Sequence, residues 1–292
     1  MMRFAKLALL LSAPLAIFAL VIAADRVVGA TGPGRTYVVR VDLPPAGGEI
    51  GLPRVDGPAD ASRPLVVIDA GHGGHDPGAG TGDLKEKMLT LRLAQSLRDE
   101  LLREGGIRVA LTRDDDRYLM LAERSSIARR LGADLFLSIH ADSVESGDAR
   151  GASIYVLSDR GSSQAAARIA ARENRADMIN GVALARTSDS VSAILVDLSQ
   201  REALTASTDF ARLMLRELQG RLRLRGNTVQ SAAFAVLKSP DLPSALFEAG
   251  YISNPDDQAL LASQQGQAAF AQATARAIRV YFARRSGASP SL

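Results

Sequence analysis

Histidine is scarce in this chain of 292 residues: only His72, His75 and His140 occur, and cysteine is absent. Any protein-held metal must therefore use imidazole and carboxylate donors. Disulfides, cysteine zinc fingers, iron–sulfur sites and thiol nucleophiles are excluded. His72 and His75 stand in Gly71-His72-Gly73-Gly74-His75-Asp76-Pro77-Gly78, directly after the apolar run Leu65–Asp69. His140 closes another run, in Ser138-Ile139-His140-Ala141-Asp142. One such histidine reads most simply as a hydrogen-bonded, partly buried imidazole. Two at matching strand ends favour a metal site. The glycines beside His72 let backbone approach a ligand, but no Gly-Lys-Ser/Thr follows, so a phosphate-binding loop is disfavoured.

A zinc site that does chemistry usually takes three protein ligands and leaves one position for water. Glu86 is a candidate third ligand, since it opens the first long helix beyond the loop Gly78–Lys85. A carboxylate at a helix N-terminus is equally well explained by the macrodipole. Asp69, Asp76 and Asp142 compete, more naturally as groups that orient the imidazoles. Glu248 ends an apolar run in Leu246-Phe247-Glu248-Ala249-Gly250, where packing does not explain an acid. It is the candidate general base.

The elements that must position these residues follow from periodicity. Leu65–Asp69, Ile107–Leu111, Leu135–Ile139, Ser153–Leu157, Phe234–Leu237 and Ala245–Phe247 read as six strands. Leu89, Leu93, Leu97 and Leu101 share one helical face; so do Phe210, Met214, Leu218 and Leu222, and likewise Phe270, Thr274, Ala277 and Tyr281. Continuous apolar strands alternating with helices predict an α/β domain: a six-stranded, mostly parallel, twisted sheet with helices on both faces. The site should lie beyond the carboxyl ends of the strands.

Hydrophobic residues make up 47% of the chain and charged ones 23%, ample for a packed core; the net charge is only +3 and tryptophan is absent. No basic block with interleaved aromatics occurs, so a nucleic-acid partner is not expected. Residues 1–30 carry Arg3 and Lys6 before the apolar stretch Leu7–Ala24, then small residues. That is the layout of a signal peptide, or of an N-terminal anchor if uncleaved, and only then is a membrane contact expected. Residues 31–63 are rich in Gly and Pro and read as a linker, with one strand-like piece at Thr36–Leu43. The expected catalytic domain is 64–285, followed by a short tail at 286–292.

These motifs resemble a known family. Asp69-Ala-Gly-His72-Gly-Gly-x-Asp-Pro-Gly78, Glu86-Lys87, Ser138-Ile-His140-Ala-Asp142 and Pro243-Ser-x-Leu-x-Glu248-x-Gly-Tyr-x-Ser-Asn254 occur in order. Together they look like the zinc-dependent N-acetylmuramoyl-L-alanine amidases of the periplasmic cell-separation type (the amidase_3 family). The likeness spans about Pro64 to Phe282 and extends to the stretch Leu111–Arg124. It implies Zn2+ held by His72, Glu86 and His140, with Glu248 catalytic; His75 falls at a position the pattern leaves open. The implied reaction is hydrolysis of the amide between N-acetylmuramic acid and L-alanine in peptidoglycan, for wall remodelling and daughter-cell separation in the periplasm of a Gram-negative envelope. The targeting module that precedes the domain in larger members has no room in residues 31–63. Rival readings are a zinc carboxypeptidase acting on the stem peptide, and a wall-binding module without catalysis.

The segment 159–207 is longer than a strand-to-helix connection requires. Its helix-prone run Ser163–Met178 places Glu173 on a face with Ala166, Ile169, Ala170 and Ala176. A carboxylate on a small apolar face is unusual, and a solvated Glu within Arg172-Glu173-Asn174-Arg175 explains it equally well. In regulated members of the resembled family an inserted helix covers the cleft and blocks the zinc. The resemblance thus implies an autoinhibitory insert, with Glu173 as its metal-side plug, and an activator carrying a LytM-type domain.

Overall fold

The structure, a computed structural model, describes residues 51–80, 84–143, 149–179, 182–183 and 193–287. The expected leader, most of the linker, the Thr36–Leu43 piece and the end of the tail lie outside the described residues. Leu52–Leu292 forms one compact unit. Among the described residues no helix is long and apolar enough to cross a membrane.

The main strands are β1 (Leu65–Ala70), β2 (Arg108–Leu111), β3 (Leu135–Asp142) and β4 (Ser153–Leu157). A two-residue pair follows, β5 (Met178–Ile179) and β6 (Val182–Ala183), then β7 (Gln230–Ala232) and β8 (Ser244–Tyr251). The helices are α1 (Glu86–Glu104), α2 (Leu121–Arg130), α3 (Gln164–Glu173), α4 (Ala193–Leu218), α5 (Pro255–Ala262) and α6 (Gln264–Gly287). Six strands form one sheet in the order β2-β1-β3-β8-β4-β7, with β5-β6 apart from it. Every pairing in the sheet is parallel except β4 with β8.

Alternation along each strand divides the core. Val66 and Ile68 pack with Leu89, Leu93 and Leu97 of α1, Phe210 and Met214 of α4, and Phe270 and Ile278 of α6. Leu65 and Val67 face the opposite cluster, with Leu121 and Ala128 of α2 and Ala166 and Ile169 of α3. Helices therefore cover both faces, as continuous apolar strands require. Each fully buried Leu contributes about 1.5–3 kcal/mol, so Leu93→Ala would open a cavity costing about 2–5 kcal/mol.

Three expectations about the elements are corrected. Phe234–Leu237 is not a strand; Ala235–Leu237 is a 3-10 turn, and the sixth strand lies upstream at Gln230–Ala232. The apolar run is real, but it fills the second core cluster from a turn: Phe234, Val236 and Leu237 are all buried there. Short apolar runs do not distinguish the two outcomes by period. Leu222 also lies past the end of α4, in a loop after Gly220, whose φ of 76° suits a left-handed helix stop.

The compact unit begins upstream of β1, where the Asp56 backbone pairs both ways with Val109 along the free edge of β2. The helix expected over Ser163–Met178 ends at Glu173, continuing as a 3-10 turn over Asn174–Asp177. Position 207 falls inside α4: Ala203, Ala206 and Ser207 are buried, and Ser207 accepts the Ser244 N–H in β8.

Candidate metal centre

The three carboxyl ends of β1, β3 and β8 meet at one point. The register pairs His140 of β3 with Glu248 of β8, and a bulge follows before Asp142. Such a bulge re-aims side chains at a sheet edge. His72, just past β1, has φ 60°, the single non-glycine in the left-handed region among the described residues. That backbone costs about 1–3 kcal/mol and is held only where its surroundings over-determine it.

The surroundings are two buried arginines. Arg124 donates to the Ala70 carbonyl at 2.7 Å and the His72 carbonyl at 2.9 Å, and pairs with Asp69 at 3.0 Å. Arg113 donates to the carbonyls of Ala70 at 2.9 Å and Gly71 at 2.7 Å. Thr112 and Ser138 donate to the two oxygens of Asp69, each at 2.7 Å. The stretch Leu111–Arg124 thus clamps the turn that carries His72. Gly71 is needed there: a Cβ would come within 2.5 Å of the His140 ring.

His72 Nε2 lies 3.1 Å from Glu86 Oε1 and 3.2 Å from Glu173 Oε2. His140 Nδ1 lies 3.3 Å from the same Glu86 oxygen and 2.9 Å from the same Glu173 oxygen. One donor atom from each of the four residues fits within 4.8 Å of the others, and all four side chains are buried. Glu86 is fixed by the N–H groups of Ala79 and Ala141, each at 2.8 Å. Asp76 takes the other ring nitrogen of His72 at 2.7 Å, which sets its tautomer and aims Nε2 inward.

Asp76 is the only one of the three competing aspartates that touches an imidazole. Asp69 is committed to Arg124 and the two hydroxyls, and Asp142 pairs instead with Arg172 of α3. The side chain of Asp69 meets the buried arginine and that of Asp142 meets α3. His75 stays out of the cluster and stacks on Tyr118.

The donor set fits a divalent cation such as zinc. Among the described residues, His72 Nε2, His140 Nδ1 and Glu173 Oε2 are buried without a hydrogen-bond partner, an expensive arrangement unless a cation accepts their lone pairs. Electrostatics agrees. Burial opposes a positive imidazole, but Glu86, Asp76 and Glu173 outweigh it and hold the His72 pKa well above its ordinary value. His140 is likewise pushed up to about 10, against burial, mainly by Glu173. A place that draws protons so strongly draws a metal ion for the same reason.

Glu248 behaves differently. It is buried, neither oxygen has a hydrogen-bond partner among the described residues, and burial followed by the Glu173 charge pushes its pKa up to about 8. A carboxylate poised near neutrality suits proton transfer.

The segment carrying Glu173 is anchored at three further points. Arg172 pairs with Asp142 and donates to the Ser143 carbonyl. Asn174 accepts from the Ala235 N–H and donates to the Ala233 carbonyl, each at 2.8 Å. Asp177 accepts the Leu121 N–H at 3.0 Å, capping α2, and the Tyr118 hydroxyl at 2.9 Å. Sequence reasoning missed these anchors, because the partners of Arg172, Asn174 and Asp177 lie far away along the chain. A pocket of about 630 Å³ opens beside the cluster, lined by His72, His75, Glu86, Arg172, Glu173 and Arg175 among others.

Comparison with known proteins identifies the family. Residues 66–280 match the family described as N-acetylmuramoyl-L-alanine amidase. The chain is 40% identical over 223 residues to N-acetylmuramoyl-L-alanine amidase AmiA of Salmonella typhimurium, covering 76% of this chain and 77% of that protein. It is 41% identical over 216 residues to AmiA of Escherichia coli K12, covering 73% of each. The solved structure of the amidase AmiC2 of Nostoc punctiforme superposes with TM-score 0.53 at 30% identity, over 76% of this chain and 98% of that one. With the family match spanning the whole sheet and its site, the chain belongs to the N-acetylmuramoyl-L-alanine amidases.

Proposed function

We propose that this peptidoglycan amidase is zinc-dependent and is held inactive by its own α3 segment. His72, Glu86 and His140 are the resident ligands, and Glu173 takes the place that water needs. The observation that carries the reading is the convergence of four buried donor atoms within 4.8 Å, three from strand ends and α1 and one from α3. Three ligands leave a reactive position open; a fourth closes it.

Bound there, zinc would acidify a water from a pKa of about 15.7 toward about 7 and polarise the scissile carbonyl. Glu248 accepts the water's proton and returns it to the nitrogen of L-alanine as the amide breaks. Asp76 keeps His72 in the tautomer that offers Nε2, and the N–H groups of Ala79 and Ala141 hold Glu86 in place. The bond broken joins the lactyl group of N-acetylmuramic acid to the stem peptide, the amide named by the family.

The motif resemblance and the export-like N-terminus support a periplasmic role in wall remodelling and daughter-cell separation. A partner must lift α3, and an activator with a LytM-type domain is the class implied. The test is mass spectrometry of peptidoglycan treated with the full chain and with Glu173→Ala, with and without chelator. Released stem peptides beginning at L-alanine, lost on chelation and restored by zinc, are expected. Peptides cut at another bond would move the enzyme to the carboxypeptidase or endopeptidase class; cleavage indifferent to chelation would remove zinc.

A further inference from the structure

We propose that His75 and Tyr118 form a preformed aromatic platform on which the sugar strand of the substrate packs. The proposal rests on the reading of Glu248 as the proton donor to the leaving amine. In the sheet order β2-β1-β3-β8, Glu248 lies on β8, beyond His140. The leaving nitrogen must lie within hydrogen-bond reach of Glu248, so the stem peptide departs on the β8 side. The acyl half of the amide, with its lactyl link to the sugar, then extends the other way, past His72 toward β1 and β2.

The aromatic pair stands on that side. His75 follows β1, Tyr118 follows β2, and their ring centroids are 4.1 Å apart at 42°. His75 is exposed, yet it lines the same pocket as His72 and Glu86. The pair is built in rather than incidental. Gly74 has φ 60°, and a Cβ there would come within 2.8 Å of the Tyr118 nitrogen, so the loop lies flat against Tyr118. The Gly74 N–H donates to Asp116 at 2.9 Å, and Lys87 ties Asp116 to the Gly74 carbonyl. A platform that needs no ordering loses little entropy on binding.

A pyranose ring presents a face of C–H bonds that an exposed aromatic ring with a polar rim can cover. Stem peptides carry carboxylates, but the cations lining the pocket, Arg172 and Arg175, lie on the α3 segment, and Lys87 is committed to Asp116. The local chemistry at His75 thus favours sugar over peptide.

Equilibrium binding tests this without turnover or metal. A peptide-free tetrasaccharide of alternating N-acetylglucosamine and N-acetylmuramic acid is titrated into the full chain and into Glu173→Ala, each with His75 intact, as Ala or as Trp. His75→Ala should weaken glycan binding about ten-fold, and His75→Trp should restore it. A free stem tetrapeptide should bind His75→Ala and the parent chain equally. Unchanged glycan affinity in His75→Ala, no glycan binding by either parent, or a loss confined to the peptide would each overturn the platform. Failure of the amidase reading would show instead in the mass spectrum of the products.

Discussion

The Glu173 carboxylate lies 2.9 Å from His140 Nδ1, closer to that ring than Glu86 is at 3.3 Å. The residue from α3 thus approaches the same imidazole as Glu86, the first residue of α1, and under the proposed zinc site its removal should free a coordination position rather than dismantle the site. Glu173→Ala is expected to raise activity without activator by at least about ten-fold, as a shift of the closed–open equilibrium, while retaining zinc. Turnover on purified peptidoglycan, with metal content by mass spectrometry, checks both. Loss of zinc together with activity would make Glu173 an obligatory ligand.

Asp177 holds the same segment from its far end. Its bonds to the Leu121 N–H and the Tyr118 hydroxyl form a cap between the segment and α2. Removing a cap costs about 1 kcal/mol. Asp177→Ala should therefore raise basal activity about five-fold, and Tyr118→Phe should raise it less, since only the hydroxyl is lost. Basal activity equal to the parent chain in both would place the hold elsewhere, at Asn174 or Arg172.

Glu248 makes no hydrogen bond among the described residues and should tolerate truncation structurally. Glu248→Ala, in a Glu173→Ala background, should keep zinc and melt within a few degrees of its parent. Its turnover should fall by about 10²–10⁴-fold, the usual share of a general base. A variant still near parental activity would reassign the proton transfer.

Asp69 links stability to pH. Burial raises its pKa, but Arg124 and the hydroxyls of Thr112 and Ser138 outweigh that, so the folded value lies below the ordinary one. Such a carboxylate contributes stability that is fully present above its unfolded pKa of about 3.9 and lost as pH falls through the folded value. Asp69→Asn leaves Arg124 buried without its charge partner, which costs about 3–5 kcal/mol near pH 7. Urea melts at a series of pH values should show the gap between variant and parent narrowing below about pH 4. A gap constant down to pH 3 would contradict the assignment.

Much of this protein was determined by sequence alone. Continuous apolar runs set five of the six strands, because a parallel sheet covered on both faces needs side chains apolar in every direction. The scarcity of histidine and its place at two strand ends pointed to a metal, and the motif resemblance named Glu86, which spacing left open. Tertiary structure decided the rest. Phe234–Leu237 and Gln230–Ala232 exchanged roles because a short apolar run satisfies a strand or a buried turn equally. The partners of Asp69 and Asp142 could not be read locally: Arg124 is 55 residues from Asp69, and Arg172 reaches Asp142 only when α3 packs across the cleft. Glu173 fell on the face of Ala166, Ile169 and Ala170 by helical period, which left open whether it is solvated in a charged run or turned toward the metal. Its burial against His72 and His140 arises from the packing of Ala166, Ile169 and Ala170 on the sheet, a contact no sequence period can place.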